Sequence, residues 1–180
     1  MVEQLVERIR QKDQRAMTEL YQQYVEELSS VCYRYVPQEN DAKDVLQNSF
    51  VKIFTSIESL EYRGEPSFRG WMIRIVVNEA LSYLKNRKKL LLVEQDAVIL
   101  QTEFEEEPDP ERISPDELHQ LIAELPDGYR TVLNLYVFEN YSHRQIAELL
   151  GISEATSASQ LFYAKRLLAK KIKDVIRKQG

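Results

Sequence analysis

Apolar residues recur every three or four positions along most of the chain, and this spacing predicts amphipathic helices rather than strands. The positions Ala42, Val45, Phe50 and Ile53 are one example. Helices are predicted at Gln14–Tyr35 with Asp13 as N-cap, from Asn40 or Asp41 to Leu60, from Ser67 as N-cap to the basic run Lys85–Lys89, at 115–124 and at 127–138. Few stretches alternate with period two, so the expected fold class is all-α.

The stretch Tyr141–Leu168 has the pattern of a helix, a short glycine turn and a second helix. Ser142 is a candidate N-cap, and Gln145 three residues later completes a capping box. Gly151 can adopt the left-handed conformation that ends the first helix, and Ser153 can cap the second. This pattern predicts a DNA-binding helix-turn-helix.

Charge divides the chain into three parts. The whole chain carries a net charge of −5, but residues 1–92 and residues 114–180 each carry +1, and residues 93–113 carry −7. The middle part contains FEEEPDPER, in which like charges and prolines disfavour a helix. Two small helical domains, 1–92 and 114–180, are therefore expected on either side of an acidic flexible linker at 93–113. The acidic total is compatible with DNA binding, because the field near the binding face decides it.

The sequence offers little for catalysis or metal binding. Its two histidines, His119 and His143, lack metal-ligand spacing, and there is no glycine-rich phosphate loop. Its single cysteine, Cys32, lies in an apolar helical context and is expected to be a buried, inert thiol. We predict no enzyme activity, cofactor or metal. Without a signal peptide or an apolar run long enough to span a membrane, the chain is expected to be cytoplasmic.

Three blocks of sequence resemble the bacterial extracytoplasmic-function (ECF) sigma factors. They are DAKDVLQNSFVKIF, YRGEPSFRGWMIRIVVNEAL and ELPDGYRTVLNLYVFENYSHRQIAELLGISEATSASQL. The resemblance implies a transcription initiation factor that binds core RNA polymerase, recognises a two-part promoter and helps to open the DNA. It also implies that residues 1–92 are sigma region 2, for polymerase binding and minus-ten recognition and melting. Residues 114–180 would be sigma region 4, for minus-thirty-five recognition.

The resemblance places a polymerase-binding surface on the helix at 41–60. The face opposite its apolar stripe carries Asp44, Gln47, Asn48 and Val51. A polar helix face with a small apolar centre suits a reversible interface. The alternative is that this face is simply solvated.

Minus-ten DNA is expected to meet the loop and helix that begin near Glu61. Aromatic rings can stack on unpaired bases, cations neutralise phosphates, and an amide can bond a base edge. Arg63 could instead pair with Glu61 or Glu65, Trp71 is expected to pack in the core, and the basic end could serve only the helix dipole. The minus-ten candidates are Tyr62, Arg63, Phe68, Arg74, Asn78, Lys85, Arg87 and Lys88.

The second helix of the motif is expected to enter the major groove at the minus-thirty-five element. The candidates are Thr156, Ser159, Gln160, Phe162, Tyr163, Lys165 and Arg166. The family commonly has basic residues where this chain has Ala158, Gln160 and Tyr163, so duplex recognition is expected to be weaker or differently tuned. Exposed Phe162 and Tyr163 could alternatively bind a protein, such as an inhibitor, or the other domain of this chain.

The partners that the resemblance implies are core RNA polymerase, promoter DNA as duplex and as melted single strand, and an anti-sigma factor. The free chain is expected to be a monomer that does not insert into membranes. In the linker, the acidic side chains could mimic phosphates in a basic polymerase channel or belong to a solvated tether. These residues are Glu103, Glu105, Glu106, Glu107 and Asp109. Two other functions stay open: a helix-turn-helix regulator that acts without polymerase, and a protein-interaction module with a repurposed recognition helix.

Overall fold

The computed structural model describes residues 1–87 and 108–179. Within these ranges the regular elements are all helical. The chain divides into two compact units, unit 1 at Met1–Asn86 and unit 2 at Arg87–Gly180. The expected all-α, two-domain fold is confirmed. No helix in the described ranges is long and apolar enough to cross a membrane.

Unit 1 contains four helices around one apolar core. They are α1 (Val2–Arg10), α2 (Gln14–Tyr35), α3 (Glu39–Ser56) and α4 (Glu65–Asn86), with a 3₁₀ turn at Ile57–Ser59 after α3. The carboxylate of Asp13 caps α2 by accepting from the backbone N–H groups of Arg15 at 2.9 Å and Ala16 at 3.3 Å. The predicted bounds of α2 are therefore confirmed, and the cap explains its first residue.

The predicted ends of α3 and the start of α4 were wrong. Helix α3 ends at Ser56 rather than Leu60, and the guanidinium of Arg10 donates to the carbonyl oxygen of Ile57 at 3.2 Å and to that of Leu60. Helix α4 begins at Glu65, so Ser67 lies inside it rather than capping it. Gly64, with φ of +96°, turns the chain just before α4, and Pro66 suits a first helical turn.

Unit 2 is built around α6. Its helices are α5 (Pro115–Ala123), α6 (Asp127–Val137), α7 (His143–Leu150) and α8 (Glu154–Gln179). The predicted capping box of α5 is present: the Ser114 hydroxyl accepts from the Glu117 N–H at 3.2 Å, and the Glu117 carboxylate accepts from the Ser114 N–H at 2.9 Å. Every residue from Gly128 to Leu135 in α6 is buried, so α6 is the central helix of this unit.

The helix-turn-helix is formed as the sequence predicted. Ser142 and Gln145 make a reciprocal capping box at the start of α7, and Gly151 ends α7 with φ of +69°. The Ser153 hydroxyl accepts from the Thr156 N–H at 3.0 Å and caps α8. These local signals therefore determine where α7 ends and where α8 begins.

Two glycines are expected to respond in opposite directions to alanine. A methyl group on either Gly70 or Gly151 would meet no neighbouring atom within 4 Å. Gly70 lies inside α4, so Gly70→Ala should raise the free energy of unfolding by about 0.5–1 kcal/mol. Gly151 has a positive φ, so Gly151→Ala should lower it by about 1 kcal/mol. Urea unfolding measures both, and equal signs would contradict the assigned backbone conformations.

Most of the predicted linker, residues 93–107, lies outside the described ranges. Its last part contains a short 3₁₀ turn at Pro110–Arg112, where the Asp109 carboxylate accepts from the Glu111 N–H at 3.0 Å. This turn leads directly to the Ser114 cap of α5.

Candidate polymerase and nucleic-acid interfaces

The outer face of α3 carries the four residues predicted to bind polymerase. Asp44, Gln47, Asn48 and Val51 are all exposed, and Val51 is 56% exposed. The opposite face packs into the core through Ala42, Val45, Ser49, Phe50 and Ile53. The structure thus brings the candidates together as one polar helix surface with an apolar residue in it.

An exposed aromatic residue that the sequence reasoning missed lies on α2. Tyr21 is 45% exposed, and its ring centroid is 4.7 Å from that of Phe50 in α3. The signal that could have revealed it is an aromatic side chain one position from buried Leu20, outside the apolar stripe of α2.

The two minus-ten candidates in the loop before α4 differ in how far their side chains are exposed. Arg63 is exposed and its guanidinium lies 2.6 Å from the Glu61 carboxylate, so the alternative pairing is present in the structure. Tyr62 is half-buried and lines a cleft of about 460 Å³ between α1, α2 and this loop. The side chain of Tyr62 is therefore partly accessible from this cleft.

Phe68 is placed differently from its prediction. Its ring is 1% exposed, so it cannot stack on a base, and it belongs to the core. Tyr24 and Tyr62 lie with ring centroids 6.1 Å from it, and Trp71 stacks on it at 5.7 Å. The Phe68 ring instead packs against the rings of Tyr62 and of half-buried Trp71.

A hydrogen bond from α2 holds the first turn of α4 beside this aromatic group. The Tyr24 hydroxyl lies 3.3 Å from the Glu65 carboxylate and donates to it. Burial, with the nearby Glu65 charge, raises the pKa of Tyr24 to about 12. Tyr24 therefore remains a protonated donor at neutral pH.

The outer face of α4 presents three of the predicted minus-ten residues along one line. Arg74 and Asn78 are exposed and four residues apart, and exposed Lys85 follows on the same side seven residues later. Arg87 is exposed just beyond the end of α4, whereas Lys88 lies outside the described residues. This face combines cations with an amide, a combination suited to phosphates and base edges.

Helix α8 exposes fewer of the predicted minus-thirty-five residues than expected. Ser159, Phe162 and Lys165 are exposed, and Phe162 is 50% exposed. Gln160 is 2% exposed, so its prediction as a base contact was wrong: it lies three residues after fully buried Ser157 and packs with the core. Its amide oxygen is buried without a hydrogen-bond partner in the part of the chain that the structure describes.

The three other predicted minus-thirty-five residues are half-buried and contact other residues of the protein. The Thr156 hydroxyl is 2.8 Å from the Ser153 hydroxyl and belongs to the cap of α8. Tyr163 is half-buried, with its ring centroid 6.1 Å from Tyr129 in α6 and 5.6 Å from Phe162. The Arg166 guanidinium lies 5.4 Å from the centre of the Phe162 ring. Tyr163 and Arg166 thus contact the Phe162 ring, and half of the Phe162 side chain remains exposed to solvent.

His143, the first residue of α7, connects α7 to α8. Its Nδ1 lies 2.9 Å from the hydroxyl oxygen of buried Ser157. The Tyr136 ring stacks on His143 at 4.7 Å, and the Lys165 ammonium lies 5.9 Å from the centre of the Tyr136 ring. This contact sets the orientation of the two motif helices.

Metal-ligand clusters and a reactive thiol are not found among the described residues. No group of three or more His, Cys, Asp or Glu side chains is placed there to hold a metal ion. Cys32 is buried, its Sγ lies 3.4 Å from the Ala42 carbonyl oxygen, and burial raises its pKa to about 12. This thiol is in the poorly reactive, protonated form at neutral pH.

Comparisons with known proteins agree on one family for both units. Residues 20–90 match Sigma-70 region 2, and residues 116–168 match Sigma-70 region 4. The ECF RNA polymerase sigma-E factor of Haemophilus influenzae is 31% identical, over 96% of this chain and 95% of that protein. The RNA polymerase sigma-H factor of Pseudomonas aeruginosa is 30% identical, over 97% and 95%. This chain belongs to the ECF family of RNA polymerase sigma factors.

A solved structure supports the same fold for the sigma factor. It is that of CnrH in complex with the cytosolic domain of CnrY, with a TM-score of 0.50 and 20% identity over 94% of this chain and 96% of that chain. At this identity the likeness establishes the fold alone.

Membership in the family settles the general function that the sequence predicted. The chain is a transcription initiation factor that binds core RNA polymerase and directs promoter recognition and DNA opening. The family is one of non-catalytic transcription factors. Which side chains of this sigma factor meet polymerase and DNA is a separate question, which its exposed surfaces address.

Proposed function

We propose that the two units divide initiation between three exposed helix surfaces. The outer face of α3, defined by Asp44, Gln47, Asn48 and Val51, binds core RNA polymerase. The observation that carries this assignment is that all four side chains are exposed while the opposite face of α3 is core. Interfaces that form and dissociate have this polar composition around a small apolar centre.

The outer face of α4 meets the melted minus-ten strand. Arg74, Asn78 and Lys85 lie on one side of α4, where cations can follow the phosphates and the amide can bond a base. Tyr62, supported by Phe68, offers the ring on which an unpaired base can stack. Arg63 joins this surface if the base or phosphate displaces Glu61 from its guanidinium.

Helix α8 enters the major groove of the minus-thirty-five duplex. The complete turn geometry at Gly151 and the contact between His143 and Ser157 hold it at the angle a helix-turn-helix requires. Its outer N-terminal face presents Ala155, Ala158, Ser159 and Phe162, without a cation before Lys165. Small and aromatic side chains of this kind read thymine methyl groups rather than guanine edges.

The test of this groove assignment removes only methyl groups from the DNA. A duplex is selected from a random-sequence pool by binding to the wild type and is then synthesised with uracil in place of thymine. We expect about fourfold weaker binding for each contacted methyl lost, because one buried methyl group contributes about 0.8 kcal/mol. In a fluorescence-anisotropy titration, Phe162→Ala should distinguish the two duplexes less strongly than the wild type does, because only the smaller side chains of this face remain.

Tyr21→Ala serves as the matched control, since it removes a similarly exposed aromatic ring from unit 1. It should retain the preference for thymine. A wild type that ignores the methyl groups, or a Phe162→Ala variant that distinguishes the duplexes as strongly as the wild type does, would contradict the proposed reading mode. It would favour protein binding by Phe162 instead.

The free sigma factor is proposed to be a cytoplasmic monomer with an anti-sigma partner. The support for such a partner is that CnrH, which has the same fold, was solved in complex with the cytosolic domain of CnrY. Co-purification of the tagged full chain from its own cells, followed by mass spectrometry and sedimentation analysis, tests both parts. A free chain that sediments as a dimer would contradict the monomer.

A further inference from the structure

The short connection that leads into α4 carries two of the proposed minus-ten residues. It consists of residues 60–64, called here the minus-ten loop, and has no regular secondary structure. Tyr62 and Arg63 lie in it. Because its backbone lacks the hydrogen bonds of a helix or strand, contacts with the rest of unit 1 determine where the loop lies.

Contacts with α4 and α2 hold the end of the minus-ten loop that leads into α4. The carbonyl oxygen of Gly64 accepts from the backbone N–H of Phe68 at 3.1 Å. The next residue, Glu65, accepts from the Tyr24 hydroxyl at 3.3 Å. The loop therefore joins α4 at a position that two other helical segments fix.

A side chain of α1 holds the other end of the minus-ten loop. The Arg10 guanidinium donates to the carbonyl oxygen of Leu60, the first loop residue, and to that of Ile57 at 3.2 Å. Glu7, one turn earlier on α1, pairs with the same guanidinium. The Arg10 side chain is only 27% exposed, so it is held within unit 1. A cation beside the last carbonyls of a helical turn is also favoured by their dipoles.

Helix α1 also borders the space beside Tyr62. The cleft of about 460 Å³ is lined on one side by Val2, Glu3 and Leu5 of α1, and Tyr62 of the minus-ten loop lines it as well. The bonds from Arg10 to the loop carbonyls connect these two walls. They therefore fix the distance between α1 and the loop.

We propose that Arg10 is a positioning residue for capture of the melted minus-ten strand. This inference rests on the proposed contact between the minus-ten loop and that strand. Tyr62 follows Leu60 by two residues, so the backbone between them spans at most about 7 Å. A displacement of the Leu60 carbonyl therefore displaces the Tyr62 ring. A loop released at Leu60 occupies its binding position for only part of the time, and the affinity for the strand falls by that fraction.

The experiment measures strand binding by the full chain assembled with core RNA polymerase. The probe is the labelled non-template strand around the minus-ten element of a promoter that the wild-type complex selects from a random-sequence library. Arg10→Met removes the guanidinium and keeps an unbranched side chain that favours a helix. It should weaken strand binding about tenfold, because the loop loses two charge-assisted hydrogen bonds. Affinity for core polymerase should stay within about twofold of the wild type, because the outer face of α3 is unchanged.

A double-mutant cycle shows whether Arg10 acts through the minus-ten loop. In a chain that carries Tyr62→Ala and Arg63→Ala, Arg10→Met should weaken strand binding by less than about twofold, because the side chains that it positions are gone. Arg15→Met is the matched control for loss of a cation. Arg15 is exposed in the same unit and is not among the residues that line the cleft, so strand binding should be unchanged.

Each outcome bears on a different claim. Wild-type strand binding by Arg10→Met overturns the positioning role and leaves the loop contact standing if Tyr62→Ala with Arg63→Ala weakens binding. An equal effect of Arg10→Met in both backgrounds, or an equal loss in Arg15→Met, also overturns the positioning role. Wild-type binding by Tyr62→Ala with Arg63→Ala overturns the proposed loop contact and the role of Arg10 with it. If Arg10→Met does not assemble with core polymerase, Arg10→Gln, which keeps an amide donor, is put through the same cycle.

Discussion

Reversing the charge on the outer face of α3 is expected to abolish binding to core RNA polymerase. The change is Asp44→Arg with Gln47→Ala. Both side chains are exposed and neither is in the core, so the fold should be retained, and alanine favours the helix. A reversed charge placed against a complementary surface costs several kcal/mol, so we expect at least about a hundredfold loss of affinity. Titration of immobilised core polymerase measures it.

The matched control carries the same kinds of change on α2. Gln22 and Glu26 are exposed and four residues apart, and Gln22→Ala with Glu26→Arg changes the net charge by the same amount. This variant should bind core polymerase within about twofold of the wild type. An equal loss of affinity in both variants would mean that total charge, rather than the face of α3, governs binding.

Replacing Arg130 by alanine is expected to destabilise unit 2 while unit 1 remains folded. Arg130 is 2% exposed, and its guanidinium donates to the carbonyl oxygens of Leu125 at 2.7 Å and Ala123 at 3.3 Å and pairs with Asp127. Without it, the carbonyl of Ala123 at the end of α5, that of Leu125 after α5 and the Asp127 carboxylate lose their partner. Breaking such a pair costs about 3–5 kcal/mol.

Two spectroscopic signals separate the units in this experiment. Trp71 is the single tryptophan of the chain and lies in unit 1, so its fluorescence reports on that unit. Circular dichroism reports on the helices of both. In Arg130→Ala, part of the dichroism transition should move to lower urea while the Trp71 transition stays in place. Loss of both signals together would contradict independent units.

Arg144→Ala is the control for loss of a guanidinium from the same unit. Arg144 is exposed and pairs with Glu148 at 3.3 Å one turn along α7. An exposed pair of this kind contributes about 0.3–0.5 kcal/mol, so its removal should barely move the transition. A similar shift in both arginine variants would argue against a special role for the buried one.

Features encoded by neighbouring residues could be predicted from the sequence. The caps of α2, α5, α7 and α8 each depend on residues no more than three positions apart, and Gly151 needs only its own conformational freedom. The helix-turn-helix follows from these signals together. The resemblance to ECF sigma factors then supplied the function that helices alone could not indicate.

The errors at the candidate sites came from assigning a residue to the wrong face of its own helix. Phe68 was taken as a base-stacking ring, but it begins a line of buried positions that continues through Met72 and Val76. That spacing of four could have identified it as core. Gln160 lies on the core side of α8 by the same criterion, and its polar character concealed this.

Other contacts had no local signal. The bond between Tyr24 and Glu65 joins residues 41 positions apart, and the Arg10 contacts that end α3 span 47 and 50 positions. The contact of His143 with Ser157 depends on how α7 turns onto α8. Such pairs depend on the packing of helices, which a periodic pattern predicts only as a buried face.

Transcription from a random-sequence promoter library tests the central claim most directly. Core RNA polymerase is supplied with the full chain, and the DNA upstream of each transcript start is sequenced. We expect that two separate sequence elements at constant spacing are enriched, and that Asp44→Arg with Gln47→Ala abolishes this enrichment. Start sites no different from those of core polymerase alone would contradict the claim that this chain directs initiation through the exposed faces of its two units.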